Sequence, residues 1–136
     1  LYLRPLRQRI RQNGGKVYPD FSQPFYLFVD IKTGAEDTYA ALDKTFQRYR
    51  DILKACARKN CNPAPVQIVL SGNRPIETMS KQMERLAGLD GRPDDLGKKI
   101  SPQLMPIISD NYRNHFKWLG QGEMPADEKT KLYPRN

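Results

Sequence analysis

The chain has 136 residues, of which 38% are hydrophobic and 28% charged, and this predicts one globular domain with its own core rather than two domains. No stretch approaches the roughly 18 consecutive apolar residues that cross a bilayer, so no membrane-spanning helix is expected. The net charge of +8 attracts anions such as phosphate esters, acidic lipid headgroups or nucleic acid, but its spread along helix faces favours ordinary solvated helices over a nucleic-acid patch.

The first predicted elements are a basic segment, a strand and a long helix. Residues 1–11 are basic and amphipathic and do not form a basic-then-apolar leader, so we expect the chain to start inside a longer protein. Phe25–Ile31 (FYLFVDI) is an aromatic and β-branched run that predicts a buried strand. Residues 36–59 predict a helix, because apolar residues recur at spacings of three and four. They form one apolar stripe along the helix, which is expected to pack on a sheet.

The later predicted elements are shorter. In chain order they are strands at residues 66–70, 86–89 and 106–109, and helical segments at residues 76–82, 93–96, 112–118 and 126–132. Pro75 suits the first turn of the first of these helical segments. Strands that alternate with helices imply right-handed crossovers and a parallel sheet.

Compact polar residues follow each of the four predicted strands. They are Asp30, Lys32 and Thr33 after the first strand, Ser71, Gly72 and Asn73 after the second, Asp90, Gly91 and Arg92 after the third, and Ser109, Asp110 and Asn111 after the fourth. Chemistry in parallel α/β folds gathers at the carboxyl ends of strands, where the loops converge on one mouth. Turn composition explains any one cluster, but four in succession favour a site.

Asp30 and Lys32 are the strongest candidates for binding. They flank Ile31 in the strand, so both side chains are expected on the same face. Charged groups in a buried strand must be paired or bind something, because isolated buried charge is costly. A plain ion pair is one interpretation, and a metal-binding carboxylate beside a phosphate-binding ammonium group is the other.

The two cysteines, Cys56 and Cys61, match neither a zinc pair nor a redox C-x-x-C motif. A disulfide between them requires that residues 60–62 have left the predicted helix, because helical positions five apart point to different sides. The cysteines therefore leave both the disulfide and the cellular compartment open.

Several segments resemble a family of barrel phosphodiesterases. In chain order they are LYLRPLRQRI, FYLFVDIKT, VQIVLSGNRP, LAGLDGRPDDL and ISDNYRNHFKWLGQGEMPADEKTKL. They are similar to the middle and later strands of enzymes related to glycerophosphodiester phosphodiesterases and phosphatidylinositol-specific phospholipase C, and nearest to a bacterial and fungal branch of phospholipase C-like phosphodiesterases. The resemblance implies an α/β fold, a TIM-type (β/α)₈ barrel, of which residues 1–136 would form a partial domain supplying about half.

The resemblance also implies roles for individual residues. Asp30 would be a ligand of a divalent cation, Ca²⁺ or Mg²⁺, and Lys32 the catalytic lysine that contacts phosphate. The substrate-binding residues would be Lys32, Ser71, Asn73, Asp90, Arg92, Asn111 and Trp118. Trp118 either stacks on a lipid or inositol group or simply packs. Glycerophosphodiesterases usually have Glu where this chain has Asp30, which leaves the coordination and the preferred metal open.

The family's proton-transfer groups are missing from the sequence. The resemblance implies acid–base catalysis by two histidines from early strands and an upstream Glu-x-Asp metal motif. His115 is the only histidine, and its predicted helical position favours a structural or surface role. We therefore expect this segment alone to show no turnover.

The sequence predicts a metal-dependent phosphoric diester hydrolase that acts on glycerophosphodiesters or phospholipid headgroups. The alternatives are a catalytically inactive barrel relative that binds anionic ligands and a small basic nucleic-acid-binding domain. The expected partners are a small-molecule or lipid phosphodiester and a peripheral membrane surface, without nucleic acid, and the expected location is periplasmic or secreted. Half a barrel also leaves an apolar sheet face that the rest of the barrel or another chain must cover.

Overall fold

A parallel sheet with helices on one face dominates residues 1–58 and 60–132, the part of the chain that the computed structural model describes. The helices are α1 (Leu3–Gln12), α2 (Ala35–Gln47), α3 (Ile76–Lys81) and α4 (Ala126–Leu132), with 3₁₀ turns at Pro93–Asp95 and Tyr112–Asn114. The strands are β1 (Phe25–Ile31), β2 (Cys56–Ala57), β3 (Asn60–Cys61), β4 (Val66–Gly72), β5 (Glu84–Arg85), β6 (Ala87–Gly91) and β7 (Ile107–Ile108). None of the helices in this part of the chain has the length and apolar content needed to cross a membrane.

The main sheet has the order β1-β4-β6-β7, and each neighbouring pair is parallel. The predicted parallel sheet is therefore confirmed. Its strands follow one another in chain order, as they would in a stretch of barrel wall, whereas a doubly wound sheet reverses direction at a switch point. The complete (β/α)₈ barrel stays a prediction.

The two faces of β1 have different surroundings. Ile31 is buried, and Leu27 and Val29 pack against the core formed with the helices, including Tyr39 and Phe46 of α2. The alternate side chains, Tyr26 and Phe28, are 43% and 49% exposed. The expectation that the whole strand is buried is wrong for this face, because helices cover only the other side of the strand.

The helix predicted over residues 36–59 ends at Gln47, and Lys59 lies outside the described residues. Beyond Gln47 the chain forms turns, and Leu53 makes a parallel bridge to Val66. Ile52 and Leu53 reach the core from these turns rather than from a helical stripe. Tertiary strand pairing replaced the local helical hydrogen bonds that the periodicity predicted.

A disulfide joins Cys56 and Cys61 and closes the β2–β3 hairpin. Cys56 also pairs with Arg85 of β5, so this small antiparallel sheet has the order β3-β2-β5. The condition set by the sequence, that the chain has left the helix before the second cysteine, is met. The periodicity did not predict any of these two-residue strands.

The other predicted elements differ mainly at their ends. The strands at residues 66–70, 86–89 and 106–109 correspond to β4, β6 and β7, and the helices at residues 76–82 and 126–132 correspond to α3 and α4. The helix predicted at residues 112–118 shortens to the turn Tyr112–Asn114. The carboxylate of Glu128 accepts hydrogen bonds from the backbone N–H groups of Lys117 (2.8 Å) and Trp118 (3.0 Å), which removes these donors from any helix.

Candidate functional site

The carboxyl ends of β1, β4 and β6 bring three predicted site residues into one row. Asp30 pairs in register with Ser71, and the Ser71 hydroxyl donates to the Asp90 carboxylate at 2.7 Å. Side chains at matched positions of parallel strands point to the same face. Polar residues that follow separate strands in the sequence are therefore neighbours in space.

Asp90 is the buried centre of this row, with 2% of its surface exposed. Its Oδ2 accepts hydrogen bonds from the hydroxyls of Ser71 (2.7 Å) and Ser109 (2.8 Å) and pairs with the Arg92 guanidinium at 2.7 Å. Among the described residues, its Oδ1 has no hydrogen-bond partner although it is buried. Asp90 therefore retains an unused capacity to accept a donor or a cation.

The charge of Asp90 fixes the position of Arg92. Burial opposes ionisation of Asp90, but the hydrogen bonds from Ser71, Ser109 and Arg92 outweigh it and lower the pKa of the carboxyl group. The Arg92 guanidinium also lies 3.4 Å from Ser71 Oγ and 3.5 Å from Ser109 Oγ. Because the Arg92 side chain is 39% exposed, part of its positive charge faces solvent at the strand ends.

Two further ion pairs, both made by Asp95, support the same loops. Asp95 accepts a hydrogen bond from the backbone N–H of Arg92 (2.9 Å) and pairs with Arg74 and Lys98, each at 3.0 Å. These three donors, the backbone N–H of Arg92 first, hold the pKa of Asp95 far below its usual value. Arg74 also donates to the backbone carbonyl of Asp90 at 2.8 Å, so it links the loop after β4 to the end of β6.

Asp30 and Lys32 form an ion pair at 2.7 Å. Their side chains are 52% and 80% exposed, so the expectation that these charges are buried in the strand is wrong, and burial requires neither pairing nor a ligand. The reason is the uncovered face of β1, on which Asp30 lies. Of the two interpretations, the structure shows the plain ion pair. Both charged groups remain accessible to solvent.

An open cleft of about 650 Å³ lies where β1 and β4 end, and its lining includes Lys32, Gly72, Asn73 and Arg74. Asn73 closes one side, because its side chain donates to the backbone carbonyl of Thr33 at 2.8 Å. The volume lies in the range of small-molecule sites. Lys32 and Arg74 place cationic side chains in this lining, but Lys32 is paired with Asp30 and Arg74 with Asp95, so neither positive charge is unopposed.

Among the predicted site residues, Lys32 and Asn73 line this cleft, Asp30, Ser71, Asp90 and Arg92 belong to the row and its ion pair, and Asn111 and Trp118 belong to neither group. Asn111 follows β7 and caps the next 3₁₀ turn, its side chain accepting from the backbone N–H of Arg113 at 3.0 Å. The Trp118 indole donates to the backbone carbonyls of Gln121 (3.1 Å) and Gly122 (3.2 Å), so it orders its own loop. No hydrogen bond or ion pair among the described residues joins Trp118 to the cleft or to Asp90, and its ligand-binding role stays a prediction.

His115 lies at the β7 end of the sheet and is exposed, consistent with a surface position. Its Nε2 contacts Asp110, which also accepts from the Asn114 side chain at 2.6 Å and the Asn111 backbone N–H at 2.7 Å. The hydrogen bond from His115, followed by that from the Asn111 backbone, lowers the pKa of Asp110. The imidazole is therefore held by a carboxylate in the segment that follows β7.

The described residues do not by themselves fit a complete divalent-metal site. Asp30 offers an accessible carboxylate, and Asp90 Oδ1 is a buried acceptor without a partner. However, no three carboxylate, imidazole or thiolate side chains converge within residues 1–58 and 60–132. Calcium and magnesium require six or more oxygen ligands, so these two carboxylates supply only part of such a shell.

Sequence reasoning missed Arg74 and Asp95, which complete the network. The signal was present, because Arg74 lies in SGNRP and Asp95 in GRPDD, each directly after a predicted strand. Their inward orientation is not visible in the sequence, since charged loop residues usually face water. No protein-family model matches the chain, and comparisons with curated proteins and with solved structures found no match.

Proposed function

We propose that the chain contributes the phosphate-binding side of a phosphoric diester hydrolase of the glycerophosphodiesterase and phospholipase C-like type. The observation that carries the proposal is the row Asp30–Ser71–Asp90 at the carboxyl ends of parallel strands, flanked by cationic side chains. A phosphodiester carries one negative charge, and in the cleft it would compete with Asp30 for Lys32 and with Asp95 for Arg74. The expected substrates are glycerophosphodiesters or phospholipid headgroups.

Each residue has a distinct part in this proposal. Lys32 is the catalytic residue, since its ammonium group at the cleft neutralises charge on the phosphate oxygens. Asn73, which lines the cleft, would supply an amide group. Ser71 belongs to the row and Asn111 lies beyond the cleft, so their contacts with the substrate stay predictions. Asp90 is too buried to meet a ligand easily, so its role is to position Arg92, whose exposed guanidinium contacts phosphate.

Asp30 is the proposed ligand of Ca²⁺ or Mg²⁺. A cation there would compete with Lys32 for the carboxylate, because the two side chains are already paired at 2.7 Å. When bound, the cation would polarise a phosphoryl oxygen. No step is assigned to it, since the described residues supply an incomplete ligand set.

Two further features support the proposed setting. The Cys56–Cys61 disulfide suits an extracytoplasmic location, because disulfides persist in oxidising compartments. The exposed Tyr26 and Phe28 side chains suit a sheet face that the remainder of a barrel, or another chain, would cover.

Binding of glycerophosphocholine by the purified 136-residue chain, measured by calorimetry in Ca²⁺, Mg²⁺ or EDTA, tests the proposal. We expect binding that strengthens with divalent cation, and we expect Asp30→Ala to remove this dependence while Lys32→Ala weakens binding in every buffer. The matched control is Asp37→Ala, which removes an exposed carboxylate that makes no ion pair among the described residues. Binding that ignores both chelator and Asp30→Ala would rule out the ligand role of Asp30.

Turnover is a separate measurement. We expect no hydrolysis of bis(p-nitrophenyl) phosphate by this chain, because the described residues contain a single exposed histidine rather than a pair at the site. Hydrolysis that Lys32→Ala abolishes would contradict this expectation and would show that the segment is sufficient for catalysis.

The ion pairing of Asp30 favours one alternative, a catalytically inactive relative that binds anions. In that case Lys32 and Arg92 would bind phosphate groups and Asp30 would only orient Lys32. Anion binding that chelator leaves unchanged, together with the absence of turnover, would select this alternative.

A further inference from the structure

A second cleft, of about 520 Å³, lies between α1 and the segment that follows α2. Its lining consists of Arg4, Arg7, Gln8, Arg11, Gln12 and Tyr49. Every one of these side chains carries a hydrogen-bond donor, and no carboxylate is among them. Such a lining is suited to an anion, and the residues are distinct from those at the carboxyl ends of the strands.

Arg7 is held in place at the middle of the cleft. Its guanidinium stacks over the Tyr49 ring at 4.2 Å, pairs with Asp51 at 2.6 Å and contacts the backbone carbonyl of Arg48. Its Nε is buried and has no hydrogen-bond partner among the described residues. Stacking and pairing restrict the side chain before any ligand arrives, which lowers the entropy lost on binding.

Arg4 and Arg11 lie one helical turn before and after Arg7 on the same side of α1. Both are exposed, and neither forms an ion pair within residues 1–58 and 60–132. Asp51 neutralises Arg7, so the cleft retains the charges of Arg4 and Arg11. About 10 Å of helix axis separates these two residues, given a rise of about 1.5 Å per residue.

We propose that this cleft binds a small anion with at least two phosphate groups. The two residues with unneutralised guanidinium groups are about 10 Å apart along the helix axis, and an anion with charge at two points can contact both better than a single orthophosphate can. Arg7 supplies a preorganised contact between them, and Gln8 and Gln12 supply neutral donors beside it. The ligand is either a soluble polyphosphorylated compound or the headgroup of a polyphosphorylated lipid.

Calorimetry with tripolyphosphate in EDTA-containing buffer tests the site independently of any divalent cation. The variant Arg4→Gln/Arg11→Gln removes the two unpaired charges, and we expect its Kd to rise about tenfold or more. The control Lys44→Gln/Lys129→Gln removes the same charge from exposed lysines of α2 and α4 and should leave the Kd within about twofold. Circular dichroism checks that all variants remain folded.

The outcomes separate specific from general attraction. If both double variants bind tripolyphosphate equally more weakly than the wild type, the effect is one of net charge and the proposal is overturned. Orthophosphate that binds as tightly as tripolyphosphate would also overturn it. Phosphatidylcholine vesicles with or without a polyphosphorylated phosphoinositide identify the source. Vesicle binding that the arginine variant loses assigns a lipid headgroup, and binding of tripolyphosphate without vesicle binding assigns a soluble ligand. Neither result depends on Asp30 or Lys32.

Discussion

The carboxylate of Asp30 lies against the backbone of Gly72, where no side chain could fit. A Cβ atom added to Gly72 would clash with Asp30 Oδ1 and with the backbone carbonyl oxygen of Ile31. Gly72 also has φ +74°, a conformation that glycine adopts without strain. The position of the candidate ligand carboxylate therefore depends on glycine at the end of the neighbouring strand.

Replacing Gly72 with alanine should displace Asp30 and destabilise the fold. We expect Gly72→Ala to lower the free energy of unfolding by about 1–3 kcal/mol, measured by urea denaturation, because backbone strain and a clash act together. Gly97→Ala is the matched control, since Gly97 has φ +78° but open space around its Cβ position. Equal losses in the two variants would mean that the contact with Asp30 adds nothing.

Asp90 should contribute to stability in its ionised form. Its pKa is lower in the folded state than in the unfolded chain, so the contribution is complete above about pH 4 and is lost as the pH falls through the folded pKa. We expect Asp90→Asn to cost about 1–3 kcal/mol at neutral pH and to flatten the acid limb of the stability curve. Asp94→Asn, at an exposed neighbour without an ion pair among the described residues, should leave that limb unchanged. If the free energy of unfolding falls equally with decreasing pH in Asp90→Asn and in the wild type, ionised Asp90 does not contribute to stability.

Tyr39 should make the fold sensitive to alkaline pH. Burial first, and then the charge of Asp43, raise the pKa of Tyr39 from 10.0 to about 12. Its neutral form stabilises the fold below about pH 10, and roughly 3 kcal/mol is lost as the pH rises to about 12. The free energy of unfolding, measured by urea denaturation at several pH values, should fall less steeply between about pH 10 and 12 in Tyr39→Phe than in the wild type. Tyr26→Phe, which changes an exposed tyrosine, should not alter this slope. A similar flattening in both variants would show that the slope has another source.

Reduction of the disulfide should weaken the hairpin at the amino end of the sheet. Cys56 and Cys61 close a short loop with a sequence separation of 5, for which chain entropy predicts a loss of roughly 2 kcal/mol on reduction. Thermal unfolding with and without a phosphine reductant measures the effect. The double variant Cys56→Ala/Cys61→Ala should not respond to reductant, and an unchanged wild-type midpoint would contradict the prediction.

Elements with a strong local signal could be predicted from the sequence with few errors. β1 has the predicted bounds, Phe25–Ile31, because an aromatic and β-branched run lies between residues that break regular structure. The helix Ala126–Leu132 also matches, with Asp127 and Glu128 in its first turn. The polar residues after each strand could be located for the same reason, since each strand has to end in a turn.

Long-range contacts decided the rest. α2 stops at Gln47 because Leu53 and Cys56 pair with strands elsewhere in the chain, and no local periodicity reports such pairing. Asp90 is buried and paired because the hydroxyl groups of Ser71 and Ser109, each 19 residues away in the sequence, contact it in the fold. Asp30 is exposed because its face of the sheet is uncovered. The amino-acid sequence by itself determined which polar groups stand at the ends of the strands. Only the tertiary structure decided which of them are buried and paired, because burial depends on what packs against each face of the sheet.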